Sequence, residues 1–233
     1  MDSMSFARRC AQVAVLVAVA WAGLFISQRV AALDFKSAKE ILESATSFVS
    51  RHFLLRGIHL AFVLLQLPVF VSLRGSLRKQ DESLSSLAHS LMLLAIGFLA
   101  FADGSQILVL PPIVAEYQRQ ALAEFAQPPS TANFALFYSA YYDSVPFAVQ
   151  ALGHLFYAAS LIVFAVLLGW REKTITSMLI ACAGAVILAH LLALAGKWLA
   201  DVVFFAAAAF QAVLLFLLAR KFGEILRKRE RGY

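Results

Sequence analysis

Residues 146–169 read PFAVQALGHLFYAASLIVFAVLLG, a stretch without a single charged side chain. An α-helix rises 1.5 Å per residue, so about 20 apolar residues suffice to cross a hydrocarbon layer ~30 Å thick. Five further runs of similar length and character occur in the chain, at residues 11–33, 53–73, 84–110, 174–195 and 198–219. The pattern predicts an all-α fold, a polytopic membrane protein built as a bundle of six transmembrane helices.

The composition agrees with this class and leaves little room for a second domain. Of the 233 residues, 61% are hydrophobic and 15% are charged, whereas an average soluble domain carries about 25% charged residues. Six spans use nearly the whole chain, so residues 1–233 are predicted to form a single integral membrane domain. Cys10 and Cys182 form no CxxC motif, and both are expected to be buried, unreactive thiols.

The basic residues predict the orientation of the chain. The net charge of +6 comes mainly from residues that the six spans place on one side of the membrane, namely Arg8, Arg9, Arg74, Arg78, Lys79, Arg171, Lys173, Arg220, Lys221, Arg227, Lys228, Arg229 and Arg231. The positive-inside bias predicts a multi-pass protein of the plasma membrane, the inner membrane in a bacterium, with both termini cytoplasmic. The basic tail is expected to lie on anionic headgroups, and nucleic acid is not an expected partner.

The first span has an alternative interpretation as a cleaved signal peptide. Arg8 and Arg9 resemble a positively charged n-region, and the small residues at 30–32 resemble a cleavage site. The apolar stretch at 11–26 is long for a signal peptide and continues to residue 33. A retained helix is therefore favoured.

The two longest connections are predicted to lie on the outer face. In residues 34–50, apolar side chains recur at helical spacing after a capping box that begins at Ser37. This predicts an amphipathic helix on the membrane surface or packed against the bundle. The proline pair at 111–112 is expected to end the third helix, with another amphipathic helix at 113–127. The aromatic residues within 134–142 are interpreted as an interfacial belt or, alternatively, as a ligand-stacking platform.

Ionisable side chains inside a membrane are costly and mark candidate functional sites. Five of them fall in one layer of the outer leaflet, about 5–12 Å deep by helical rise, and Gln106 and Gln150 can join this layer. The candidate ligand-binding residues are His59, Asp103, Gln150, His154, His190 and Asp201. His89 lies near the opposite end of the third span, and no residue is predicted to be catalytic.

Three interpretations of this layer are open. Two facing histidines commonly hold haem b, and His59 and His154 lie at matching depths. A six-helix cytochrome with two haems carries two such histidine pairs, one near each face of the membrane. Here His89 and His190 lie at opposite depths, so they do not form a second pair. Histidines with a carboxylate also suit a zinc-dependent hydrolase, although no HExxH motif is present. In the third and favoured interpretation, these residues hydrogen-bond across helices or line a polar cavity for a lipid or small solute.

The order of elements resembles a bacterial membrane-protein family known as domain of unknown function 4386. The resemblance rests on three segments and covers about residues 8–219: HFLLRGIHLAFVLLQLPVFVSLRGSLRKQDESLSSLAHSLMLLAIGFLAF (52–101), PIVAEYQRQALAEFAQPPSTANF (112–134) and ALGHLFYAASLIVFAVLLGW (151–170). It implies a six-helix bacterial inner-membrane protein and supplies no catalytic residue. The arginine or glutamate usual in the third span of that family is not evident here.

The sequence therefore favours a non-enzymatic membrane protein whose polar outer-leaflet cavity binds or passes a lipid or small ligand, or supports a partner. The alternative is an intramembrane metalloprotein, either haem b-binding or zinc-dependent, with His59 and His154 as metal ligands. Membrane lipids are the expected partners, while a protein partner or a homo-oligomer is left open.

Overall fold

The apolar runs form helices because a backbone in hydrocarbon must satisfy its hydrogen bonds within its own segment. A computed structural model describes residues 3–32, 45–123, 145–195 and 197–231. These residues contain no strand, and their helices are α1 (Ser3–Ala32), α2 (Ala45–Leu77), α3 (Glu82–Ala123), α4 (Val145–Leu168), α5 (Lys173–Ala195) and α6 (Lys197–Glu230). A short 3₁₀ helix, Gly169–Glu172, joins α4 to α5.

Each of the six helices contains a segment long and apolar enough to cross a membrane. Large apolar side chains face outward along these segments, with Leu16 70%, Val166 66% and Leu108 74% exposed. In water, so much apolar surface would mark an interaction site or an aggregation hazard, whereas lipid tails solvate it. The chain is a multi-pass membrane protein of the helical-bundle class, and the predicted fold is confirmed.

The helices close into a ring in chain order. Each helix packs against its neighbours along the chain, and α1 packs against α6. The hydroxyl of Ser72, late in α2, donates to the carbonyl of Ser3 at the start of α1 at 3.4 Å, so these two helices are antiparallel. The start of α1 and the end of α6 lie at one end of the bundle, called here the terminal end, and the opposite end is called the far end.

The terminal half of the bundle has a packed apolar core. Phe70 of α2 stacks on Phe164 of α4 with ring centroids 5.6 Å apart, and both are fully buried.

A close approach of α3 and α4 depends on Gly153, where a Cβ would lie 2.9 Å from Cγ of Leu99. Small residues of this kind allow helices to pack tightly in a membrane.

The turn between α2 and α3 is short and well capped. The carboxylate of Asp81 accepts from the backbone N–H of Leu84 at 2.8 Å, which satisfies a free donor in the first turn of α3. Arg78 and Glu82 form an exposed ion pair beside it. The turn is short because α2 continues to Leu77 and α3 begins at Glu82.

The expectation that Pro111 and Pro112 end the third helix is wrong. Helix α3 continues through both prolines to Ala123, so most of the separate helix predicted at 113–127 belongs to α3. A proline removes one backbone hydrogen bond and costs about 3 kcal/mol locally. The apolar run before the prolines and the helical pattern after them outweigh that cost.

Other boundaries also differ from the sequence expectation. Residues 45–50, predicted to end a surface helix, instead begin α2 and run without a break into the second span. The basic tail continues α6 to Glu230. Cys10 and Cys182 are buried, as predicted. The capping box at Ser37 and the aromatic residues within 134–142 fall outside the described residues.

Candidate functional site

A buried carboxylate in the far half of the bundle anchors the polar residues there. Asp103 of α3 is 1% exposed and contacts two residues of α2. Nη1 of Arg56 donates to its Oδ1 at 3.3 Å, and Nδ1 of His59 lies 2.6 Å from its Oδ2. Arg56 and His59 are three residues apart, so both lie on the face of α2 that meets α3. The pairing offsets the cost of burying the carboxylate.

A second pair of histidines lies where α4 meets α5. Nδ1 of His190 is 2.9 Å from the backbone carbonyl of Val186, one turn earlier in α5. A carbonyl only accepts, so this Nδ1 carries a proton, and Nε2 of neutral His190 is an acceptor. Nδ1 of His154 lies 3.3 Å from that Nε2 and donates to it.

His59 and His154 are each held through the same ring nitrogen, Nδ1. Nδ1 of His59 donates to a carboxylate and Nδ1 of His154 donates to His190. In the neutral state, Nε2 of each imidazole then carries a lone pair. Such a nitrogen can accept a hydrogen bond from a ligand or coordinate a metal ion.

Both imidazoles border one cavity of about 210 Å³ in the far half of the bundle. Five helices contribute to its wall, and α3 supports it from behind through Asp103. The lining residues with hydrogen-bonding side chains are Trp21, Arg56, His59, Gln150, His154, His190 and Gln211. The cavity thus gathers a cation, two amides and three imidazoles at membrane depth.

Aromatic side chains form much of the remaining wall. Trp21 of α1 lies 5.2 Å from the ring of His59 and stacks on Phe25 at 5.3 Å, measured between centroids. On the other side, Phe204 of α6 contacts His154 at 5.6 Å and His190 at 5.0 Å. These contacts restrict the orientation of the imidazoles and give a ligand an apolar surface beside the polar groups.

Buried hydrogen bonds lie below the cavity, toward the terminal end. The hydroxyl of Tyr157, one turn beyond His154, donates to Oε1 of Gln66 at 2.9 Å. The hydroxyl of Ser160 donates to the carbonyl of Ala88 at 2.7 Å, which joins α4 to α3. These partners satisfy polar groups that would otherwise be costly at this depth.

The structure brings most of the predicted ligand-binding residues together. His59, Gln150, His154 and His190 line the cavity, whereas Asp103 lies behind His59 and orients it. Asp201 belongs to α6, and its side chain is outside the described residues. His89 lies apart from them, near the terminal end of α3, in agreement with its predicted depth.

Arg56 is the main residue that the sequence reasoning missed. The sequence could have identified it, because an arginine inside an apolar span, one turn before His59, requires a buried partner or access to water. The aromatic residues Trp21, Phe25 and Phe204 gave no such signal, since aromatic side chains occur throughout the spans. Only the packing of α1 and α6 beside α2 and α5 places them at the cavity.

The donor set limits what kind of metal site this region can form. Among the described residues, no three His, Cys, Asp or Glu side chains are grouped to hold a metal ion. Zinc sites use three or four protein ligands, so the arrangement does not match one. A metal here would have two histidine ligands, His59 and His154, each with its other nitrogen hydrogen-bonded as is usual for metal-bound histidine.

No family model, curated protein or solved structure matches this chain. The resemblance to domain of unknown function 4386 stays a prediction, and every role assigned to the cavity depends on its own geometry.

We expect Asp103→Ala to destabilise the protein strongly, because it leaves the Arg56 guanidinium and the His59 N–H without their buried acceptor. Removing one partner of a buried ion pair costs about 3–5 kcal/mol. Thermal unfolding of the purified protein in detergent should show a clearly lower Tm.

The matched control is Glu82→Gln, which removes the acidic partner of Arg78. Both of those side chains are 62% exposed, and exposed ion pairs contribute about 0–1 kcal/mol. An equal fall in Tm for the two variants would contradict an anchoring role for Asp103.

Proposed function

We propose that this protein is a non-enzymatic membrane protein that binds a small ligand, or the headgroup of a lipid, in the far-half cavity. The observation that carries the proposal is the pair of imidazoles, His59 and His154, that border one cavity with Nδ1 of each already engaged. The hydrogen bonds behind these imidazoles fix which nitrogen is available to a ligand.

The polar groups suit a ligand that carries both a donor and an acceptor. Nε2 of His59 and of His154 can accept from a hydroxyl, amide or ammonium group. The Arg56 guanidinium has more donors than Asp103 uses, and it suits a carboxylate or phosphate oxygen. Within the described lining there is no Ser, Thr, Cys or Lys side chain to act as a nucleophile. The polar groups of the lining support binding through hydrogen bonds and ion pairing.

The volume of the cavity favours a small occupant. At about 210 Å³ it is smaller than the roughly 300–1,000 Å³ of pockets that bind drug-sized molecules. A complete phospholipid exceeds this space, so a lipid would place only its headgroup inside. Trp21, Phe25 and Phe204 offer contacts to a short apolar part of the ligand.

The proposed cellular location follows from the distribution of charge. Basic residues concentrate at the terminal end of the bundle, which favours a plasma-membrane protein with both termini in the cytoplasm. The cavity then lies in the outer leaflet. A fluorescent protein that matures only in the cytoplasm should fluoresce when fused after Tyr233, and a secreted phosphatase fused there should be inactive. The reverse result would place the cavity in the inner leaflet.

We expect Ala208→Phe to displace the ligand, because Ala208 is buried in the cavity wall and its replacement would occupy the space. The measurement is mass spectrometry of solvent extracts from protein purified in a mild detergent. A compound present near one copy per wild-type chain should be strongly depleted in the variant and in the double variant His59→Ala/His154→Ala.

Ala209→Phe is a matched control for this substitution. Ala209 is the next residue of α6 and is exposed on the outer surface of the bundle, so the same side chain is added outside the cavity. A ligand that is retained in both phenylalanine variants, or lost in both, would contradict binding in the cavity.

A metalloprotein is the second candidate, favoured by the two histidines whose Nδ1 atoms are already hydrogen-bonded. Haem b fits less well, because a porphyrin is larger than the present cavity and the helices would have to separate. Zinc fits less well because a third protein ligand is not grouped with the histidines in the described part of the chain. These two observations rank the metal below an organic ligand.

Elemental analysis of protein purified without added metals separates the two candidates. The ligand-binding proposal predicts far less than one iron or zinc atom per chain. Near-stoichiometric metal that is lost in His59→Ala and in His154→Ala, yet kept in the control His89→Ala, would instead establish the metalloprotein. His89 is the appropriate control because it is a histidine of the same bundle that does not line the cavity.

A further inference from the structure

A second site, unrelated to the cavity, lies between the first and last helices at the terminal end. A groove of about 330 Å³ there is bordered by Arg8, Gln12, Val15, Phe216, Ala219, Arg220, Gly223 and Arg227. Three of these residues are arginines, contributed by both helices. None of the described residues that border the groove is acidic.

Gly223 brings two of the arginines together. An added Cβ at Gly223 would lie 3.2 Å from Cζ and from Nε of Arg8, so the guanidinium packs directly against the glycine. Arg227 donates from its Nε to the carbonyl of the same glycine at 3.3 Å. A Cβ at position 223 would require the Arg8 guanidinium to shift by a few tenths of an ångström.

Among the residues that the structure describes, one acidic side chain pairs with the arginines of the groove. Arg220 pairs with Glu224 through an exposed contact of 3.3 Å, which leaves an excess of two positive charges over the three arginines and this carboxylate. Like charges held close together repel one another, and an anion bound between them removes the repulsion. The groove is therefore suited to a phosphate-bearing molecule, with a dianion matching its charge.

The groove has an apolar part beside its basic part. Val15 lies seven residues deeper than Arg8, about 10 Å along the helix axis, and Phe216 lies four residues deeper than Arg220, about 6 Å. Phe216 is 59% exposed toward the surroundings of the bundle. A molecule with a phosphate at one end and a hydrocarbon chain at the other would match both parts, whereas free phosphate would use only the arginines.

We propose that this groove between α1 and α6 binds an anionic phospholipid, with its phosphate on Arg8, Arg220 and Arg227 and an acyl chain along Val15 and Phe216. Basic pockets between transmembrane helices are typical sites for doubly charged phospholipid headgroups. The bound lipid would join the first helix to the last and stabilise the contact that closes the ring of helices.

The test uses the full chain in detergent, titrated with cardiolipin, phosphatidylglycerol or phosphatidylcholine, with bound lipid counted by native mass spectrometry. Wild-type protein should bind the two anionic lipids in preference to phosphatidylcholine, and cardiolipin most tightly. Arg8→Gln/Arg227→Gln should weaken cardiolipin binding by about tenfold or more, since two charge-assisted contacts are lost. Because ligands that bind the folded state stabilise it, cardiolipin should also raise the Tm of wild-type protein more than that of this variant.

Arg78→Gln/Lys79→Gln is the matched control, because it removes the same charge at the terminal end without touching the groove. An equal loss of cardiolipin in both variants would overturn the proposal in favour of a diffuse basic surface. Equal binding of phosphatidylcholine would overturn it as well. Displacement of the lipid by millimolar inorganic phosphate would assign the arginines to free phosphate instead.

Discussion

One buried carboxylate, that of Asp103, organises the polar contacts between α2 and α3 in the far half of this bundle. Asp103 is the buried acceptor for both Arg56 and His59, so it fixes the rotation of α2 against α3 and keeps a guanidinium at membrane depth. A charged side chain inside a bilayer is tolerated when it is paired. With its Nδ1 held by Asp103, His59 presents Nε2 as its remaining polar atom. A structural ion pair thus also selects the chemistry of the neighbouring cavity.

The two polar regions of the molecule are built differently. In the far half, a buried carboxylate pairs with a guanidinium, and the imidazoles of His59 and His154 each keep Nε2 for a ligand. At the terminal end, arginines from α1 and α6 border one groove, and Arg220 pairs with Glu224 beside it. The first arrangement suits a small, largely neutral or zwitterionic ligand enclosed by aromatic side chains. The second suits an anion at the edge of the hydrocarbon layer.

Sequence reasoning predicted the fold better than the site. Apolar length alone identifies the spans, and the number of residues from each end of a span gives the depth of His59, Asp103, His154 and His190. Depth carries no information about rotation, so the pairing of His59 with Asp103, and of His154 with His190, required the packed helices. Pro111 and Pro112 were misleading because a local proline penalty is small beside the helical preference of a long segment in hydrocarbon.

The closed ring of helices has a consequence for how the protein is made. Because α1 contacts α2 and α6, one face of the first helix has no partner until the last helix has been synthesised and inserted. The cavity has the same requirement, since Trp21 comes from α1 while Phe204 and Gln211 come from α6. Neither the packing of α1 nor the cavity is therefore complete before α6 is inserted. The proposed ligand binding would therefore depend on the insertion of α6.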